Sequence, residues 1–108
     1  MQVVISAICT AGTSLRESIG DDPRLERHLL ALAKKQDPGR KPGWLKLRSA
    51  GNRRGAINVV WDSPANLLIA RVVTKGSTRP SAIVGDFVNY LLIRHGSRIR
   101  AVTTAIVK

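Results

Sequence analysis

The residues of this sequence with the clearest chemistry are two adjacent arginines on a predicted turn, Arg53 and Arg54. Gly51 and Gly55 flank them, and glycine allows a backbone to approach a ligand closely. Guanidinium groups present forked N–H donors that match the oxygens of a phosphate. The pattern therefore predicts phosphate binding, although a short motif of this kind is also typical of an ordinary solvated turn.

A second motif precedes a predicted helix. Lys75 and Arg79 flank Gly76, Ser77 and Thr78. The first turn of a helix has free N–H groups and the positive end of the helix dipole, and both favour an anion. We therefore predict an anion-binding helix N-terminus at 76–78, with a plain helix cap as the simpler alternative.

The charge of the chain is concentrated in its second part. The 108 residues include 18 Lys+Arg and 7 Asp+Glu, which gives a net charge of +11. Residues 1–37 hold five basic and five acidic groups, whereas residues 38–108 hold thirteen basic and two acidic ones. Because the excess lies wholly in 38–108, we expect a basic surface there and an anionic partner.

Composition limits the class of protein. The length and the 44% apolar content predict one globular domain over residues 1–108. Cys9 is the only cysteine, so no disulfide forms within the chain. The apolar N-terminal run has no basic residue before it, and no stretch approaches the length of a membrane span. We therefore expect a cytoplasmic protein with no membrane partner.

The hydrophobic pattern predicts the element order β-α-β-β-β-α-β. This order indicates an α+β two-layer sandwich, with a mainly antiparallel sheet of four or five strands and helices packed on one face. The predicted elements are a strand at 3–9, a short helix from Ser14 to about Ile19, a helix at 22–35, a connector at 37–43, strands at 44–48, 56–61 and 67–74, a helix from Pro80 to Gly96 and a strand at 97–107.

The helix at 22–35 is predicted from its start and its spacing. Asp22 is a good N-cap, and Pro23 suits the first helical position. Leu25, Leu29 and Leu32 then recur at helical spacing.

In an antiparallel meander, the loops at 49–55 and 75–79 lie at the same end of the sheet. Their convergence predicts a nucleic-acid-binding patch. Trp44 is the one aromatic residue predicted to be exposed for base stacking, because it shares a strand face with basic residues. The predicted patch contains Arg48, Arg53, Arg54, Lys75 and Arg79, adds Trp44 and Lys46 from one strand, and extends to Arg98 and Arg100 if the last strand exposes them.

From Asp22 to His95, the predicted order of helix, three-strand meander and helix resembles the layout of the double-stranded-RNA-binding domain. The resemblance implies RNA contacts at residues 50–55 and 75–79. The lysine cluster that this family carries at the start of its second helix is replaced here by Thr78-Arg79-Pro80-Ser81.

The sequence therefore predicts a small basic protein that binds DNA or RNA through the phosphate backbone, with low sequence specificity. One alternative is an adaptor whose basic face docks an acidic protein, and a homodimer with a shared sheet is compatible with either. An enzyme acting on an anionic substrate is a weaker alternative. No catalytic residue, metal site or cofactor is predicted, because His28 and His95 lie far apart and no ligand spacing is present.

Overall fold

The computed structural model describes residues 2–12, 14–51 and 54–107. It is an α+β structure with one antiparallel sheet of six strands and two α-helices. The strands are β1 (Gln2–Cys9), β2 (Leu30–Lys34), β3 (Trp44–Ser49), β4 (Gly55–Asp62), β5 (Leu67–Thr74) and β6 (Ile99–Val107). The helices are α1 (Leu15–Gly20) and α2 (Pro80–His95), with short 3₁₀ helices at Leu25–His28 and Gly96–Arg98.

The strand order across the sheet is β2-β3-β4-β5-β1-β6. Strands β3, β4 and β5 form the predicted antiparallel meander. Strands β5 and β6 both pair antiparallel with β1, which lies between them. They therefore run parallel to each other, and α2 is the crossover that connects them, as the sequence predicted.

One face of the sheet packs against the helices, and its side chains form the core. Leu45 and Leu47 of β3 point inward and are fully buried, as are Ile57 and Val59 of β4. Phe87 from α2 packs onto the same cluster. The strict alternation along the strands produces this division, since successive side chains point to opposite faces.

The predicted helix at 22–35 is wrong. Only Leu25–His28 is helical, as a single 3₁₀ turn, and Leu29 then adopts a left-handed φ of 63°. The chain continues as β2, in which Leu30 lies opposite Ser49 and Leu32 opposite Leu47 of β3. Leu30, which is not in the predicted helical row, is fully buried, whereas Leu29 and Leu32 of that row are 44% and 40% exposed. Pairing with β3 therefore outweighs local helix propensity here.

This change has two consequences for the prediction. The sheet has six strands instead of four or five. The layout that resembled the double-stranded-RNA-binding domain is also absent, because its first helix is replaced by a 3₁₀ turn and an edge strand.

The other face of the sheet is not covered by either α-helix, and we call it the open face. It carries the residues that alternate with the core positions, such as Lys46, Arg48 and Asn58. In the part of the chain that the structure describes, no helix has the length and apolar character needed to cross a membrane.

Candidate nucleic-acid interface

The open face holds a shallow concavity of about 580 Å³, which we call the basic groove. Its cationic residues come from four separate segments, and its floor is made of small or neutral residues. None of the described residues that line it is acidic. The cations are Arg40, Lys46, Arg48, Arg54 and Lys75, and the remaining lining residues are Ala33, Gly55, Ala56, Asn58 and Val73.

Strand alternation places two of these cations. Lys46 and Arg48 alternate with the buried Leu45 and Leu47, so they project from the open face. Their cross-strand neighbours on β4 are Asn58 and Ala56. Because these neighbours are shorter than the cations, the floor lies below the charged ends and a concave surface results.

The ends of two loops meet beside this strand pair. The backbone N–H of Lys75 donates to the carbonyl of Arg54 at 3.4 Å. Both side chains line the basic groove, so the structure brings together Arg48, Arg54 and Lys75 from the predicted patch. Arg53, the other arginine of the turn, lies outside the described residues.

Gly55 has a role different from the one expected. A Cβ atom at this position would lie 2.5 Å from Cδ1 of Ile83 and 3.0 Å from the carbonyl oxygen of Val73. The glycine therefore lets β4 approach α2 and β5 closely, so its small size serves packing.

Arg40 is a member of the groove that sequence reasoning missed. Arg40 belongs to the connector at 36–43. This connector folds back over Trp44, so that the guanidinium of Arg40 lies 5.3 Å from the centre of the Trp44 ring. A cation over an indole face is a favourable contact. No spacing rule predicts this return, because it depends on a connector rich in proline and glycine that has no regular structure.

The predicted exposure of Trp44 is wrong, so its ring does not stand free on the open face as base stacking would require. Its side chain points to the open face, but the connector covers it and leaves the residue only 5% exposed. The buried side chain of Arg16 fixes this arrangement by donating from Nε and Nη2 to the Trp44 carbonyl at 3.1 and 2.8 Å. Arg16 also donates to the carbonyl of Lys35, so it joins the two ends of the connector.

The predicted anion-binding helix N-terminus has a different form. Helix α2 begins at Pro80 with Arg79 as its N-cap, and no side chain caps it. Gly76, Ser77 and Thr78 belong to the preceding turn, in which the Thr78 N–H donates to the Lys75 carbonyl at 3.3 Å. Gly76, Thr78 and Arg79 line a second groove beside β6, and Arg79 is not in the lining of the basic groove.

The predicted extension through the last strand is also separate from the basic groove. Arg98 lies in the 3₁₀ helix before β6 and donates to the Ser18 hydroxyl of α1 at 2.7 Å. Arg100 is exposed at the start of β6, at the far edge of the sheet. Two strands, β1 and β5, separate β6 from β4, so Arg100 does not join the groove.

A buried polar cluster lies on the helix side of the sheet. The carboxylate of Asp22, 2% exposed, accepts from the Tyr90 hydroxyl at 2.8 Å and from Arg94 Nε at 3.2 Å. The Tyr90 oxygen lies 3.0 Å from Nε2 of His95. Because the hydroxyl proton is directed to Asp22, the Nε2 atom of a neutral His95 donates to Tyr90.

This environment changes the proton affinities of the cluster. Burial favours the neutral form of Asp22, but hydrogen bonds from Arg94, the Arg24 amide and Tyr90 outweigh it and lower the pKa. Burial and the hydrogen bond to the carboxylate raise the pKa of Tyr90. Burial lowers the pKa of His95, and nearby arginines add to this effect. The cluster thus ties Asp22 to the end of α2 as a structural unit.

Two sets of cations differ in their carboxylate partners. Arg16, Lys34, Lys35 and Arg94 each form an ion pair with a carboxylate. Among the described residues, none of the five cations of the basic groove forms one. Cations without a carboxylate partner keep their charge available for an external anion.

Neither the arrangement of possible metal ligands nor a comparison with known proteins indicates a further function. Within residues 2–12, 14–51 and 54–107, no group of three or more His, Cys, Asp or Glu side chains is placed to hold a metal ion. The sole cysteine, Cys9, is buried, and burial raises the pKa of its thiol. Comparison of the chain with protein-family models, curated proteins and solved structures gives no match.

Proposed function

We propose that this protein binds nucleic acid by contacting phosphates with the basic groove. The observation that carries the proposal is the convergence of five cations from four segments, without an acidic residue among the described lining. The net charge of +11 adds long-range attraction to any polyanion. Lys and Arg at phosphates supply affinity that does not depend on base sequence.

The aromatic residues favour duplex over single-stranded nucleic acid. Proteins that bind single strands without specificity stack bases on exposed aromatic rings. Here Trp44 is 5% exposed, and Phe87 and Tyr90 are fully buried. Trp61 packs partly buried against the core on the helix side. With no exposed ring on the open face in the described part of the chain, contact with duplex phosphates is the interaction that the groove supports.

The groove also favours low sequence specificity. Reading a base in the major groove normally requires a helix or a β-ribbon that enters it. The cations of the basic groove stand on a broad sheet face and on the loops at its border, where they reach backbone phosphates first. We therefore expect similar affinities for duplexes of unrelated sequence.

The proposal is tested by fluorescence anisotropy with labelled single-stranded DNA, duplex DNA and duplex RNA of equal length. We expect micromolar or tighter binding to duplexes at about 50 mM salt, with log K falling linearly with log salt concentration. Weaker binding to the single strand is expected. No binding to any of the three ligands at low salt would reject the proposal and favour an acidic protein partner.

A further inference from the structure

The two edges of the sheet differ in their protection. Strand β2 has five residues, is bulged between Leu32 and Lys34, and ends at a lysine, Lys34. Strand β6 has nine residues, and its bulge lies at its beginning, opposite Ile8 and Cys9. No residue at 101–107 is charged. Natural edge strands are normally short, bulged or charged, because unpaired backbone groups offer a template to another strand. β2 has these protections, and the longer part of β6 lacks them.

The helix side of β6 is only partly covered. Ile106 of β6 is 60% exposed, and Leu92 of α2 is 54% exposed. Val84 lines a groove of about 660 Å³ together with Thr104 and Ile106. Val88 and Leu92 follow Val84 at intervals of four, so they continue the same side of the helix. The free strand edge is therefore accompanied by a row of aliphatic side chains on α2.

We propose that β6 pairs antiparallel with β6 of a second copy of this chain, which joins the two sheets into one continuous sheet. The charge distribution identifies the occupant. Two copies with a net charge of +11 repel each other least when they meet at an uncharged surface, and 101–107 is an uncharged strip. An acidic partner gains nothing at this strip, because it holds no cation to bind. A strand edge is complementary to itself under a two-fold axis, as a closed dimer requires.

The geometry of this pairing has a consequence for the open face. A two-fold axis perpendicular to the sheet keeps both α2 helices on one side and both open faces on the other. Seven strand spacings separate β4 from β4 of the partner subunit, so the basic grooves lie roughly 34 Å apart at about 4.8 Å per strand. The use of both grooves by one nucleic acid rests on the proposed function, whereas the pairing itself does not.

The test is the mass of the protein in solution without nucleic acid, measured by sedimentation velocity between roughly 1 and 100 µM, because a dimer depends on concentration. The edge variant is Thr103→Lys with Ala105→Lys, two exposed positions on the open face of β6. The control variant, Ser63→Lys with Ala65→Lys, adds the same two charges at exposed positions in the loop between β4 and β5. Circular dichroism checks that each variant is folded.

We expect the wild type and the control at twice the chain mass of 11.7 kDa and the edge variant at the chain mass. We also expect the dimer fraction to rise with salt, since salt screens the repulsion between copies. A wild type that stays monomeric across the range overturns the proposal, as does a folded edge variant that remains a dimer or a wild type that forms open assemblies.

If the edge variant does not fold, Leu92→Lys takes its place. Leu92 is exposed on α2, so a lysine there is compatible with the folded chain. We expect it to weaken the dimer about tenfold or more, because it places like charges across the interface. An unchanged dimer constant for this variant would overturn the proposal, because the aliphatic row on α2 lies beside the proposed β6 seam.

Discussion

On the helix side of the sheet, Arg16 and Arg94 are held by oxygen acceptors, whereas the cations of the basic groove on the open face form no ion pair within the described residues. The side chain of Arg94 is 31% exposed, and its partner Asp22 is 2% exposed. Paired cations of this kind hold elements of the fold in position. Within residues 2–12, 14–51 and 54–107, the cations of the basic groove form no ion pair with a carboxylate, and this difference is the reason that we propose them as ligand contacts.

We expect substitutions of the paired cations and of the groove cations to have different experimental effects. Substitutions in the paired group are expected to change the free energy of unfolding, and only the substitution of Arg16 also releases a groove cation, Arg40. Substitutions in the unpaired group are expected to change binding and to leave stability unchanged. The predictions below test this separation.

The largest effect is expected from Asp22→Ala. The substitution removes the acceptor of the buried Tyr90 hydroxyl and of the Arg24 N–H. Leaving buried donors unpaired costs about 2–4 kcal/mol of the free energy of unfolding, measured by urea denaturation. Asp21→Ala is the matched control, because the Asp21 side chain is 66% exposed, and its surface ion pair is worth less than about 1 kcal/mol. Equal losses in the two variants would contradict the structural role of the Asp22 cluster.

Arg16→Met tests whether Arg16, which is paired, holds the connector that carries Arg40, a cation of the basic groove. It removes the hydrogen bonds that join the Trp44 and Lys35 carbonyls, and we expect a loss of about 1–3 kcal/mol in stability. Release of the connector also exposes the Trp44 ring and frees Arg40, so tryptophan emission shifts to longer wavelength. Arg27→Met, at an exposed site, is the control. An unshifted emission spectrum in the Arg16 variant would show that other contacts hold the connector.

The pH dependence of stability follows from the Asp22 cluster. The pKa of His95 in the folded state lies below its ordinary value of 6.5, so the unfolded chain binds the proton more readily. Stability is therefore full above pH 6.5 and decreases as the pH falls through the folded pKa, by at most about 1.4 kcal/mol per pH unit for one proton. The lowered pKa of Asp22 adds a second loss below its ordinary value of 3.8.

Urea denaturation of the wild type and of His95→Gln at a series of pH values measures this dependence. The variant is expected to be less stable at neutral pH, because Tyr90 loses its imidazole partner. The decrease in the free energy of unfolding that begins below pH 6.5 in the wild type is expected to be absent in the variant. A variant that keeps the wild-type slope would assign that titration to another group.

The smallest change in stability is expected in the basic groove itself. The double substitution Lys46→Ala and Arg48→Ala removes two cations that form no ion pair among the described residues. We expect the free energy of unfolding to stay within about 0.5 kcal/mol of the wild type. A loss of several kcal/mol would indicate that these cations support the fold, and it would remove the distinction between the two groups.

The sequence predicted the parts of the fold that depend on local pattern. The alternation around Leu45 and Leu47 located a strand and its two faces, and the row Ile83, Phe87 and Leu91 located the buried side of α2. The convergence of Arg54 and Lys75 followed from the direction of the strands. These features need only a period of two or 3.6 residues and the rule that short loops connect antiparallel neighbours.

The sequence did not predict the features that depend on distant partners. The leucines at 25, 29 and 32 fit a helix, and only the free edge of β3 made Leu30–Lys34 a strand. The burial of Trp44 depends on Arg16, which is 28 positions away and donates to its carbonyl. Arg79 and Arg98 lie at the ends of elements, as the N-cap of α2 and in the 3₁₀ helix before β6. A sequence pattern does not define such ends to the residue, so it did not predict the positions of these two side chains.

The most direct test of the central claim compares two double variants in the anisotropy assay with duplex DNA at about 50 mM salt. Lys46→Ala with Arg48→Ala removes two charges from the basic groove, and Arg24→Ala with Arg27→Ala removes two exposed charges from the neutral half of the chain. The groove variant is expected to bind at least about tenfold more weakly, since each charge-assisted hydrogen bond contributes about 1.5–3 kcal/mol. Its salt slope is expected to be shallower by about two, with the control close to the wild type. Equal weakening in both variants would show that net charge, and not the basic groove, binds the duplex.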